Sequence, residues 1–298
     1  MSKVALVIND DRMTATVQVI DLLGETNFKD KNIILKPNFN TADPAPGSSD
    51  IITLKSLILK LREMGANSIT LAERSGPVDT RKCMEEKGIF ELAEELDFSI
   101  INLAEVGVEE YVHVKPKNSH WEDGFLFAKI YHEAECIVET CCLKTHQYGG
   151  HFTLSLKNAV GLVPKRDLNG NSYMRELHSS PNQRKLIAEI NTAFSPDLIV
   201  LDGVKAFVDG GPAVGTVKEA KVTLASKDRI AIDAVAVAIL RILGTTTEVS
   251  RGTIFEQEQI ASAVELGLGV SKPSDIEIIT DSENAEKLAE QIRIELLE

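Results

Sequence analysis

The feature that most constrains this chain is an alternation of short aliphatic runs with amphipathic stretches over its first third. Val4–Ile8 reads as a strand, Met13–Leu23 as a helix closed by Gly24, and Asn32–Lys36 as a second strand stopped by Pro37. Asp50 stands as the N-cap of a helix whose apolar face, Ile51, Leu54, Ile58 and Leu61, ends at Gly65. Ser68–Ala72 is a third strand, Thr80–Leu96 a helix interrupted by Gly88, and Phe98–Leu103 a fourth strand. Repeated strand–helix–strand units predict an α/β fold: a mostly parallel sheet with helices on both faces, its crossovers right-handed.

The pattern weakens near 104–135, where Lys115-Pro116 and Trp121-Glu122-Asp123-Gly124 predict a hairpin or irregular excursion. It resumes with strands over Cys136–Thr140, Leu198–Asp202 and Lys221–Ala225, helices over Asn182–Phe194 and Arg229–Leu243, and a final strand–helix pair over 275–297. The 298 residues therefore suit one α/β unit over 1–298, with two lobes as the alternative. An apolar content of 43% with only 5% aromatics calls for a core of Ile, Leu, Val and Ala.

Asn9, Asp10, Asp11 and Arg12 end the first apolar run too soon for a signal peptide or membrane span, so a soluble, cytoplasmic protein is expected. Cys83, Cys136, Cys141 and Cys142 include no Cys-x-x-Cys pair, which leaves no ferredoxin-type iron–sulfur motif or zinc ribbon and predicts reduced thiols. A net charge of −13 argues against nucleic acid and anionic membrane as partners, because both select a basic face. Oligomeric state is not legible.

Positive charge is concentrated instead. Between Lys144 and Lys185 lie seven basic residues against two acidic ones, together with His146, His151 and His178. Three constellations carry chemistry. Lys36-Pro37-Asn38 opens a loop that leaves a strand and enters the helix after Asp50, where free backbone N–H groups and Lys36 suit an anion; a proline-fixed turn is the alternative. The run from Lys144 to Pro164 places Gly149 and Gly150, which let backbone approach a ligand, among Lys144, Lys157, Asn158 and the histidines. Asp202-Gly203 follows another strand, with Asp209-Gly210-Gly211-Pro212 beyond, where an aspartate can orient a histidine, ligate a metal or act as a base; a glycine-rich turn is the alternative. Neither glycine pair forms Gly-x-Gly-x-x-Gly or a P-loop, and the spacing of His146 and His151 excludes the helical zinc-protease arrangement.

The favoured expectation is an enzyme that holds a small anionic ligand, or a phosphorylated or divalent-metal cofactor, in a cleft of Lys36, Asn38, Lys144, Gly149, Gly150 and Asn158. His146, Lys157 and Asp202 are its catalytic candidates, with Asp202 orienting His146. Candidate metal ligands are His146, His151 and His178. The competing expectation is a non-catalytic protein that binds a ligand or docks an acidic redox partner through the basic segment.

Lys36-Pro37-Asn38, Lys144-Thr145-His146, the run Thr153 to Gly161, Asp202-Gly203, Gly211-Pro212 and Ala231-Ile232-Asp233-Ala234-Val235-Ala236 together resemble the domain-of-unknown-function 362 family, in that family's order. The family implies no general activity, and many members resemble iron–sulfur proteins through an added cysteine-rich module that this sequence lacks. His146, Gly149-Gly150, Lys157 and Pro164 also resemble the motif order of lactate racemase and its nickel-pincer relatives, with His178 downstream. That similarity implies histidines for proton transfer, a lysine that anchors a cofactor, and a racemase or isomerase reaction. Asp11-Arg12 is similar to the amino-terminal pair of those enzymes without the proline that follows it there.

Overall fold

The computed structural model describes residues 1–24 and 26–298. The aliphatic runs become strands β1 (Ser2–Ile8), β2 (Asn32–Lys36), β3 (Ser68–Glu73) and β4 (Ser99–Asn102). Next come β5 (Tyr111–Val114), β6 (Phe125–Ala128), β7 (Cys136–His146) and β8 (His151–Thr153). The last are β9 (Leu198–Gly210), β10 (Gly215–Ser226) and β11 (Ile276–Thr280). Among the described residues, nine of them form one sheet in the order β11-β1-β10-β9-β7-β2-β3-β4, with β8 on the far part of β7. Pairings β1–β11, β7–β9, β2–β7, β2–β3 and β3–β4 are parallel, whereas β10 runs antiparallel to both β1 and β9.

Period-two alternation explains why helices cover both faces. Val4 and Leu6 of β1 enter one core with the helix Arg229–Ile242, while Ala5 and Val7 enter another with the helices Arg12–Leu23 and Ile51–Glu63. In β9, Ile199 and Leu201 join the first core, and Leu198 and Val200 the second. Asp11, Asp50 and Asp228 cap those three helices by accepting from backbone N–H groups of the first turn.

The excursion near 104–135 contains the hairpin β5–β6, a two-stranded sheet whose Phe125 and Phe127 pack with Trp121, Tyr131 and Phe194 in a third core. Three expectations need correction. Strand β7 does not end at Thr140 but runs on through Lys144-Thr145-His146, because β8 and β9 both pair with that extension. Nor does β9 end at Asp202: it continues to Gly210 because β10, which starts at Gly215 rather than at Lys221, pairs with it from Ile199 to Gly210, so Asp202 and Gly203 lie within a strand. Helices over Tyr173–Ser179 and Glu258–Glu265, which the aliphatic pattern did not suggest, also form. No helix among the described residues is long and apolar enough to cross a membrane.

Candidate functional site

Three neighbouring parallel strands end on residues that carry charge or a ring: Lys36 closes β2, Glu73 closes β3 and His146 closes β7. Beyond such carboxyl ends the chain turns away from the sheet, and in open α/β sheets the crevice left there is where ligands bind. A cavity of about 970 Å³ occupies this position. Its wall takes Lys36 from the end of β2, Asn38 and Thr41 from the loop after it, His146, Lys157 and Asn158 from the basic segment, and Pro212 and Ala213 from the turn between β9 and β10. The three sequence constellations thus meet, although not through every residue expected.

Lys36 is buried, and its ammonium donates to Glu73 Oε2 at 2.8 Å, to the Pro37 carbonyl at 2.6 Å and to Asn158 Oδ1 at 3.1 Å. All three of its donors are satisfied and its charge is matched by a carboxylate, so it builds the wall rather than reaching for a ligand. Asn158 Oδ1 also accepts from Asn38 Nδ2 at 2.9 Å, and its amide nitrogen donates to Glu139 Oε1 at 3.1 Å. Burial raises the Glu139 carboxyl to about 7, against a lesser pull from Arg229 and Asn158.

Lys144 departs from the expected role. Its ammonium is fully buried and donates to Asn38 Oδ1 at 2.8 Å, to the Gly47 carbonyl and to the Pro212 carbonyl at 3.3 Å. It does not line the cavity; it ties together the loops that do. Asp202 departs too. Its Oδ2 accepts from Arg12 Nε at 2.8 Å and Thr53 Oγ1 at 2.8 Å, and its Oδ1 from the Val204 N–H at 3.1 Å. It is outside the cavity wall, and it does not orient His146, whose Nδ1 has no hydrogen-bond partner.

Lys157 is the opposite of Lys144. It is buried with 8% of its surface exposed, it lines the cavity, and among the described residues no carboxylate or carbonyl accepts from it. Burial first, then the positive charges of Lys144 and Arg74, lower its pKa to about 8. Gly150 explains how the side chain fits: a Cβ there would lie 2.8 Å from Lys157 Cε and 2.9 Å from His146 Nδ1. Gly149 stands at φ +78°, in the left-handed region that favours glycine, and gives its carbonyl to Arg184 at 2.7 Å.

His146 is buried at the cavity wall, and desolvation, followed by the charge of Lys157, drives its pKa far down, so the ring is neutral at physiological pH. The ring of His178 lies parallel to it, centroids 6.5 Å apart and planes 5° from coplanar, and accepts at Nδ1 from Gln183 at 3.0 Å. His151 does not join them. It pairs with His146 across the β7–β8 hairpin but is absent from the cavity wall. Burial and the charge of Arg184 lower its pKa. The expected three-histidine metal set is therefore not assembled, and among the described residues no group of three or more His, Cys, Asp or Glu side chains is placed to hold a metal.

A model of the family described as "Domain of unknown function (DUF362)" matches residues 33–238, which takes in every wall segment above. The chain belongs to the DUF362 family. It is 24% identical over 249 residues to the thylakoid-associated protein sll1697 of Synechocystis sp., covering 82% of this chain and 73% of that one. Among solved structures it is similar to the lactate racemase apoprotein of Thermoanaerobacterium thermosaccharolyticum, at TM-score 0.43 and 13% identity, over 66% of this chain and 50% of the other. It thus spans half the length of that racemase chain.

Within this DUF362 chain, Asp233 of the Ala231–Ala236 run accepts from the backbone N–H groups of Ser155 at 2.8 Å and Leu156 at 3.1 Å, fixing the short helix that presents Lys157 and Asn158. Two wall residues carried no sequence signal. Glu73 accepts from Lys36, from the Phe39 N–H at 3.1 Å and from the Arg74 N–H at 2.8 Å. The Arg74 guanidinium, buried and without a carboxylate partner among the described residues, donates to the carbonyls of Val160 at 2.6 Å, Val163 at 2.7 Å and Ser75 at 2.9 Å. Only their position at the end of a strand following a second alternating run could have pointed to them.

Proposed function

We propose that this protein is an enzyme that holds a small anionic substrate in the cavity and moves a proton at it through His146. The observation that carries the reading is the ammonium of Lys157, which reaches the cavity from a largely buried side chain and meets no carboxylate or carbonyl among the described residues, in a wall that also holds Arg74, Lys165 and Arg166 and whose one acidic residue, Glu73, is already matched by Lys36. A partly desolvated charge without a counter-ion is costly, and an incoming anion removes that cost while the low-dielectric wall strengthens the attraction. The cations are recessed in a concavity of ligand size rather than displayed on a convex face, which favours a small molecule over a docked protein. His146 at the same wall supplies a neutral ring as proton acceptor, and an anion that offsets the charge of Lys157 removes one of the two leading causes that hold its proton affinity down.

Titration calorimetry with inorganic phosphate and with pyruvate tests this. Saturable binding with one site per chain, lost in Lys157→Gln and retained in Lys221→Gln on the exposed surface, is the expected result. Binding that survives Lys157→Gln unchanged, or that is lost equally in both variants, removes the site.

A further inference from the structure

Resting on that anion-site reading, we propose that Lys157 is a nucleophile that forms an imine with the carbonyl of its ligand, which makes the substrate class a small anionic aldehyde or 2-oxo acid. The geometry that points there is the meeting of two features at Gly150 with a third in the same wall. The Lys157 side chain ends in the cavity with no acceptor to hold it. His146 Nδ1, buried and without a partner among the described residues, lies against the same absent Cβ as Lys157 Cε, which sets the ring beside the lysine stem. Thr153 Oγ1, a third polar atom without a partner, is buried in the same wall.

A lysine meant only to balance charge would be expected to gather oxygens, as Lys36 and Lys144 do with three acceptors each. Lys157 gathers none, and burial brings its pKa to about 8, so a useful share of the amine is free near neutral pH. Arg74, Lys165 and Arg166 remain to hold the anionic group of the ligand once Lys157 is committed to its carbonyl.

The step balances without a co-reactant. The ammonium of Lys157 first gives up a proton to water; its free amine nitrogen then bonds to the carbonyl carbon while the nitrogen's proton passes by way of His146 to the carbonyl oxygen. The hydroxyl of the resulting carbinolamine takes a proton back from water and leaves as water, its C–O bond breaking, and the iminium nitrogen carries the one positive charge that the ammonium carried at the start. Nothing is oxidised or reduced. The iminium then withdraws electrons from the adjacent carbon, and a neutral His146 is placed to take a proton from it.

The test is trapping by reduction: the full chain is incubated with pyruvate and cyanoborohydride, and the product is measured by intact mass and peptide mapping. The expected result is one carboxyethyl group per chain, on Lys157, absent in Lys157→Arg and suppressed by excess phosphate. Acetone, which has the carbonyl without the anion, should label at least about ten-fold more slowly, and His146→Ala should slow pyruvate labelling by about 10²-fold, the lower end for a general acid–base group. Should Lys157→Arg fail to fold, mapping and phosphate competition on the wild type decide the matter. If pyruvate binds and phosphate competes, but the adducts scatter over exposed lysines or do not form, the imine is overturned and the anion site stands. If pyruvate neither binds nor labels, both fall.

Discussion

Lys144 and Lys157 are both buried side chains, yet Lys144 is held by Asn38, Gly47 and Pro212 while Lys157 meets no acceptor among the described residues. The charge of the first is one reason the pKa of the second falls, after burial itself. One lysine therefore organises the wall and leaves the other exposed to whatever enters the cavity.

Replacing Lys144 by Met keeps the bulk of the stem but strands three acceptors. Each buried acceptor left unmade costs about 1–3 kcal/mol, so a loss of stability of about 3 kcal/mol or more is expected by urea denaturation. Phosphate binding should weaken as well, since the loops after β2 and β9 lose their common tie. A variant as stable as wild type would show that the three contacts contribute little.

Gly150→Ala should act differently. Its Cβ would come within 3 Å of both Lys157 and His146, and one of them must move. The flexible lysine stem is the one able to give, so the fold is expected to persist while phosphate affinity falls at least about ten-fold, roughly the value of a charged hydrogen bond. An unchanged affinity by calorimetry would mean that Lys157 Nζ is not where the anion sits.

Glu139 sets a pH dependence. Its folded pKa, about 7, lies above the unfolded value near 4.5, so the folded state binds more protons in between. The contribution is fully present below pH 4.5 and is lost as pH rises to about 7. Shifts of this size correspond to about 3 kcal/mol. The lowered pKa of Lys144 and Lys157, each about 8 against 10.5, acts in reverse, restoring stability above pH 8. Glu139→Gln should flatten the fall between pH 4.5 and 7 relative to wild type, as measured by denaturation at a series of pH values.

The cysteines should be inert. All four are buried and free, and burial pushes the thiols of Cys136 up to about 12 and Cys142 to about 11. Thiolate is the reactive form, so the native chain should resist alkylation at pH 8 and react fully only when unfolded. Cys141→Ser and Cys142→Ser should cost about 1–3 kcal/mol from burying a hydroxyl but leave phosphate binding unchanged. Rapid native alkylation at either position would return thiol chemistry to consideration.

The layered α/β fold was legible because alternation is written into runs such as Val4–Ile8, where neighbouring residues enter opposite cores. Lys36, Asn38 and His146 could be placed at a site because they end or follow aliphatic runs that become strands, and Lys157 and Asn158 because they belong to the basic, glycine-bearing segment beyond one of those ends. Lys144 and Asp202 sit just as suggestively in the sequence, but the face on which a side chain emerges depends on pairing. Strand β7 continues past Thr140, and Asp202 is claimed by Arg12 and Thr53, far from it in sequence. His151 fails for a related reason: proximity in a hairpin does not decide which way a ring turns. Arg74 and Glu73 follow an ordinary Thr-Leu-Ala run, and only the tertiary contacts with Lys36 and the Val160 and Val163 carbonyls give them meaning.

The tie made by Lys144 has a thermodynamic reach beyond the stability it confers. Loops fixed during folding have already lost the freedom that a ligand would otherwise have to remove on arrival, so binding forgoes that entropic penalty. A cavity preorganised in this way should bind fitting anions with little change in shape and reject others by exclusion rather than by adjustment.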